Sequence, residues 1–132
     1  MNWDEFDKEV RELAQKIDYT PDVVMAIARG GWVPAVIIAK QLKVKDLYSI
    51  KIRREGEMRR IMADTVPPVE GLSVLLVEDM LETGQSMVVG KEYLESKGAR
   101  VKTACLYTMA QTEITPDYSL HELPEVVKFP WE

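Results

Sequence analysis

Residues 73–90, SVLLVEDMLETGQSMVVG, constrain the fold of this chain more than any other stretch. Val74, Leu75, Leu76 and Val77 form an unbroken apolar run, the pattern of a short strand covered on both faces, as in parallel α/β sheets. Two acids, Glu78 and Asp79, follow it directly. Glu82, Thr83, Gly84, Gln85 and Ser86 then supply a turn of small and hydroxyl residues, which opens into a helix carrying Met87, Val88, Tyr93 and Leu94. The first N–H groups of a helix lack intrahelical partners and carry partial positive charge, so an anion is stabilised there. The pattern is that of a phosphate and sugar site, with carboxylates beside a phosphate cradle.

The flanking segments repeat the theme. Trp3, Phe6, Val10, Leu13 and Ile17 recur at three- and four-residue steps, which predicts an amphipathic helix over residues 2–17 with an aromatic stripe in the core. Pro21 breaks it, and residues 23–28 are a six-residue apolar run suited to an interior strand. That strand delivers Arg29, Gly30 and Gly31 to its end, where paired glycines let a ligand approach the backbone closely. Pro34 sits near the first turn of the next helix, which runs to Leu42. A further strand is expected over residues 47–52, and the charged run RREGEMRR, residues 53–60, reads as a loop. After a helix stop at Lys97 and Gly98, residues 101–107 read as another parallel strand, and Val126 with Val127 as a last short one. The alternation predicts an α/β fold: a doubly wound, mainly parallel sheet flanked by helices on both faces. In such sheets ligands bind at the strand C-terminal ends, where Arg29, Arg53, Glu78 and Asp79 would emerge.

With 132 residues the chain suits one domain with a single core, residues 108–132 forming a short tail. A formal charge of -5 disfavours nucleic acid or an anionic membrane as partner, leaving residues 53–60 as a local basic patch. No apolar run approaches a membrane span, and the acidic start MNWDEFDKEV is unlike a signal peptide, so a cytoplasmic location is expected. The single Cys105 lies in an apolar run, which points to a buried small hydrophobe, and His121 has no other ligand near it in sequence. The segment ETGQS lacks the lysine of a GxxxxGK[ST] loop, which excludes a P-loop nucleotidase.

VLLVEDMLETGQSM resembles the phosphoribosyl-pyrophosphate (PRPP) signature of type I phosphoribosyltransferases: apolar strand, two acids, two residues, then acid-Thr-Gly-x-Ser/Thr. DVVMAIARGGWVPAVIIAKQL, residues 22–42, is similar to the family's earlier strand, Arg-Gly-Gly turn and Pro-Ala helix, and the closing KFPWE to the ending of small xanthine, guanine and hypoxanthine phosphoribosyltransferases. The resemblance spans residues 22–132. It implies transfer of the ribose 5-phosphate group of PRPP to a nitrogenous base, a 6-oxopurine by preference, with release of pyrophosphate and a nucleoside monophosphate, in a salvage role. It further implies that Glu78 and Asp79 bind the ribose hydroxyls and Mg²⁺, that Thr83, Gly84, Gln85 and Ser86 hold the 5-phosphate, and that Arg29, Gly30 and Arg53 hold pyrophosphate. Glu82 stands where purine-specific members place an aspartate that exchanges a proton with base nitrogen N7, so Glu82 and Asp79 are the expected catalytic pair. A homodimer or larger homo-oligomer is expected, and the loop at residues 53–60 occupies the place of one that folds over PRPP.

The base end departs from that pattern. Thr108 and Met109 stand where the family carries a lysine that reads the purine 6-oxo group, and Val126 with Val127 where it carries a stacking aromatic. Val127 and Trp131 are the candidates for base binding, with packing the preferred reading of Trp131. The alternative function is a catalytically degenerate PRPP or nucleotide sensor of the same fold.

Overall fold

The computed structural model describes residues 1–62 and 66–132. Apolar strand runs become the middle of a six-stranded sheet. Its strands are β1 (Val23–Ala28), β2 (Leu47–Glu55), β3 (Met58–Ile61), β4 (Ser73–Leu81), β5 (Arg100–Thr108) and β6 (His121–Glu122), in the spatial order β3-β2-β1-β4-β5-β6. All pairings are parallel except β2 with β3. Among the described residues three helices flank it: α1 (Trp3–Lys16), α2 (Trp32–Leu42) and α3 (Gln85–Ser96).

Strand alternation explains why the central runs are apolar throughout. Val24 and Ala26 of β1, with Leu75 and Val77 of β4, join the core under α1 and α2. Their neighbours Val23, Met25, Ile27, Val74 and Leu76 join the core under α3. Both faces are therefore buried, and no polar residue interrupts β1 or residues 74–77 of β4. Cys105 is buried in the second core, and burial pushes its thiol well above the usual range.

Helix α1 starts where Asn2 caps it, its side chain accepting from the Glu5 N–H at 2.8 Å. Phe6, Val10 and Leu13 are fully buried, but Trp3 remains 55% exposed. The aromatic stripe expected in the core thus begins at Phe6, with Trp3 touching it edge-on from outside.

Three elements differ from the sequence expectation. Residues 53–60 form no open loop: β2 runs on to Glu55 and turns back through Gly56 and Glu57 into β3, with Arg53 opposite Arg60 and Arg54 opposite Arg59. Gly56 takes φ of 62°, the left-handed backbone that a two-residue hairpin turn requires. Strand β4 continues past the apolar run to Leu81, because β5 keeps pairing with it as far as Thr108. The last strand is His121–Glu122 beside Tyr107 and Thr108, whereas Val126 and Val127 lie outside any strand.

The connections set the position of the site. From β1 the chain passes through α2 to β2 on one side, and from β4 through α3 to β5 on the other. The sheet order reverses between β1 and β4, so a crevice opens beyond their C-terminal ends. Registry marks where it begins: β1 pairs with β4 only as far as Val77, one residue before the acids.

Candidate active site

Two turns meet in that crevice. The first, Arg29 to Gly31, links β1 to α2, and the Ala28–Arg29 peptide is cis. The Gly31 N–H donates to the Ile27 carbonyl at 2.8 Å, and a Cβ on Gly31 would strike the carbonyls of Val77 and Ile27. A Cβ on Gly30 would stand 2.5 Å from Asp79 Oδ2. Close approach to backbone thus requires glycine at Gly31, and at Gly30 it leaves room for the Asp79 carboxylate, in neither case through an unusual φ. Arg29 itself is exposed at the mouth.

Glu78 and Asp79 leave β4 on opposite faces, as adjacent strand residues do. Asp79 points toward Gly30 and the tail, and its Oδ1 accepts the Met80 N–H at 2.7 Å. Burial raises its pKa to about 6, with the Glu132 charge adding to the rise and the Met80 hydrogen bond opposing it. Glu78 points toward α3. Burial, reinforced by Asp79, raises its pKa to about 8, against the lowering effect of the Arg59 guanidinium.

The second turn, Glu82 to Gly84, enters α3. Gly84 has φ of 79°, and an added Cβ would lie 2.5 Å from Thr112 Oγ1 and 2.9 Å from Ile114 Cγ2. The Glu113 N–H donates to the Thr83 carbonyl at 2.7 Å, and Gln85 Nε2 to Glu113 Oε1 at 3.2 Å. The tail segment 112–114 therefore buttresses the turn from behind, leaving the start of α3 open. Glu78, Glu82, Thr83, Gly84, Gln85, Ser86 and Arg59 surround a cavity of about 170 Å³ there. A wider cleft of about 540 Å³ continues it between the turn and the hairpin, faced by Arg54, Glu57 and Arg59.

The hairpin divides its arginines. Ile50 and Ile52 pack on the α3 side, so Arg54 and Arg59 face the helix start, while Lys51 and Arg53 face the side of Gly30. Lys51 pairs with Ala28, which sets Arg53 just beyond the end of β1. Arg60 shares the Arg53 face and reaches Glu55 at 3.7 Å.

A third cavity, about 150 Å³, opens on the Asp79 side. Met80, Val126, Val127 and Phe129 give it apolar walls, and Asp79, Glu82 and Glu132 give it polar ones. Glu82 thus stands between the cavity at the helix start and the one at the tail. Phe129 is fixed between Tyr107 and Trp131, its ring 4.8 Å from that of Trp131 and nearly parallel to it. Of the two residues assigned to a base, the structure brings Val127 to this cavity and places Trp131 behind Phe129, edge-on against Phe6. Glu132 is a contributor that the motifs did not single out for this place. Thr108 ends β5, and Met109 just beyond it is buried, its N–H donating to the Leu81 carbonyl.

Among the described residues no cluster of three or more His, Cys, Asp or Glu side chains is arranged to hold a metal ion. Glu78 and Asp79 do offer hard oxygen donors of the kind Mg²⁺ accepts, and one or two carboxylates suffice when a diphosphate supplies the other oxygens. No helix among the described residues is long and apolar enough to cross a membrane.

A family model described as a phosphoribosyl transferase domain matches residues 2–132. A xanthine-guanine phosphoribosyltransferase of Idiomarina loihiensis is 25% identical, the match covering 100% of this chain and 85% of that protein. One from a Ruegeria species is 26% identical over 100% of this chain and 84% of its own length. The crystal structure of a purine phosphoribosyltransferase from Pyrococcus horikoshii superposes with a TM-score of 0.92 at 32% identity, covering 100% of this chain and 92% of that one.

Proposed function

Because this chain belongs to the phosphoribosyl transferase family, we propose that it transfers the phosphoribosyl group of PRPP to a ring nitrogen of a 6-oxopurine and releases pyrophosphate. The observation that carries this reading is the close approach of Gly30 to Asp79, which joins the β1–α2 turn to the acid pair beside two cavities that share Glu82. A diphosphate held by one turn and a 5-phosphate held by the other would leave the ribose against β4.

In that pose the N–H groups and hydroxyls of Thr83, Gly84, Gln85 and Ser86 bind the 5-phosphate at the start of α3. Arg29, Gly30 and Arg53 bind the leaving diphosphate. Asp79 and Glu78 accept hydrogen bonds from the ribose hydroxyls, one from each face of β4, and their charge favours the cationic ring that forms as the C1–O bond breaks. When bound, Mg²⁺ supplies charge neutralisation of the diphosphate, with Glu78 and Asp79 the residues suited to hold it. The purine lies between Val127 and Phe129, and Glu82 exchanges a proton with its N7. Arg54 and Arg59 face the phosphates from the hairpin. Assembly as a homodimer or larger is supported by Trp32 and Val36, 41% and 39% exposed on α2 beside the pyrophosphate turn.

The test is pyrophosphate release from PRPP and Mg²⁺ with guanine, hypoxanthine, xanthine, adenine, uracil and orotate added singly, alongside calorimetry of PRPP. Base-dependent release supports the transferase. Tight PRPP binding without release for any base favours a sensor of the same fold.

A further inference from the structure

The cavity at the tail has an unusual donor inventory. Its polar side chains are Asp79, Glu82 and Glu132, and its remaining walls are Met80, Val127, Phe129 and their apolar neighbour. Ionised carboxylates accept hydrogen bonds and donate none, so the side chains around this cavity can pair only with N–H or O–H groups of an occupant. A base edge made of carbonyl oxygens would face like-charged atoms with nothing to bind.

The three acids are not interchangeable in position. Asp79 is held against Gly30 and the Met80 N–H, on the side of the β1–α2 turn. Glu82 also lines the cavity at the start of α3, so it stands on the phosphate side. Glu132 lines the tail cavity and is supplied by the tail rather than by β4 or its turn. Its backbone is fixed by an N–H bond to the Phe129 carbonyl at 3.1 Å, and Phe129 is itself locked in the aromatic stack. Its charge is close enough to Asp79 to raise that carboxyl, so the pair gains when a donor-bearing ligand separates them.

Resting on the transferase reading above, we propose that Glu132 selects the base, accepting two parallel hydrogen bonds from the N1–H and 2-amino groups of guanine. A carboxylate matches that edge in the fork geometry by which it pairs with a guanidinium. Hypoxanthine presents N1–H alone, so one bond is lost. Xanthine presents a carbonyl at C2, which meets the carboxylate with repulsion. The order of preference is therefore guanine, then hypoxanthine, then xanthine. The discrimination follows because an N–H partner is lost with hypoxanthine and is replaced by a like-charged oxygen with xanthine.

The test is kcat/KM for the three bases in the wild-type chain and in Glu132→Gln, with PRPP affinity measured by calorimetry as the control on folding. The expected result is guanine first in the wild type. In Glu132→Gln, kcat/KM for guanine falls by about 10–100-fold, the loss associated with hydrogen bonds to a charged group. Hypoxanthine falls less, and xanthine holds or gains because an amide can donate to its 2-oxo group, while PRPP affinity stays within about twofold. Glu132→Asp keeps the guanine preference at reduced rate. Xanthine matching guanine in the wild type, or equal losses for all three bases in Glu132→Gln, overturns the role of Glu132 alone. Release with no base at all overturns the transferase reading instead, and the two failures are separate observations.

Discussion

Replacing Gly30 by alanine adds one methyl group where the β1–α2 turn crosses β4, and the geometry states what must move. The new Cβ would lie 2.5 Å from Asp79 Oδ2, 2.8 Å from Cγ and 2.9 Å from Oδ1. Restoring ordinary contact at about 3.4 Å requires the carboxylate to retreat by about 0.9 Å, since sub-contact distances are repulsive. The same carboxylate accepts the Met80 N–H at 2.7 Å, a bond that does not survive a shift of that size in an unhelpful direction. Hydrogen bonds to charged groups contribute roughly 1.5–3 kcal/mol, and a misplacement of about 1 Å in a catalytic group costs on the order of 100-fold in rate. We expect Gly30→Ala to lower kcat/KM for pyrophosphate release by about 100-fold, with a thermal midpoint within a few degrees of wild type. Gly31→Ala is the internal contrast. Its Cβ would meet the backbone carbonyls of Val77 and Ile27, which cannot rotate away, so it should lower the melting temperature as well as the rate. Full activity in Gly30→Ala would refute the claim that Asp79 is held in place by that contact.

Four further outcomes are expected. The folded pKa of Glu78 is raised from 4.5 to about 8, so the native state binds more protons than the unfolded chain across that window. The ligand-free melting temperature should therefore fall as pH rises from about 5 to 8, and Glu78→Gln should flatten the slope in a calorimetric series. Gly84→Ala combines a positive φ with a collision at Thr112 and should cost about 1–2 kcal/mol in denaturant unfolding, with weaker PRPP binding by calorimetry. Glu82→Gln should reduce the turnover rate more than PRPP affinity; equal losses would argue against proton exchange with N7. Trp131→Ala should lose about 2–4 kcal/mol through its contacts with Phe6 and Phe129, whereas Trp131→Phe should leave the ranking of bases unchanged.

The sheet was legible because its central strands are buried on both faces, so residues 23–28 and 74–77 carry an apolar run that no helix period matches. What alternation could not reveal is pairing beyond the apolar run. Glu78 to Leu81 remain in β4 because β5 continues beside them, a long-range fact absent from the local pattern. The hairpin at residues 53–60 was hidden for the opposite reason. Both its faces are polar, so charge dominated the reading, and only Gly56 between two glutamates hinted at a turn. Glycine spacing located the two turns of the site, yet it could not say that Gly30 is pressed on Asp79. The tail was least legible: residues 118–123 pair along β5 without an apolar run to announce it, and beyond them the path is set by the stacking of Phe129 between Tyr107 and Trp131. Which of Val127, Phe129, Trp131 and Glu132 reaches a cavity follows from that stack and from no periodicity.

The end of β4 has a mechanical reading. Beyond Val77 the strand is anchored along one edge only, to β5, and its other edge faces the crevice. It behaves like a cantilever whose clamp is β5 and whose free side carries the load. Stiffness at Asp79 is then governed from Tyr107 and Thr108, residues that pair with Met80 and Leu81 and need touch no ligand. Loosening that clamp should blur the position of the carboxylates while leaving the phosphate turn, braced separately by Glu113, in register.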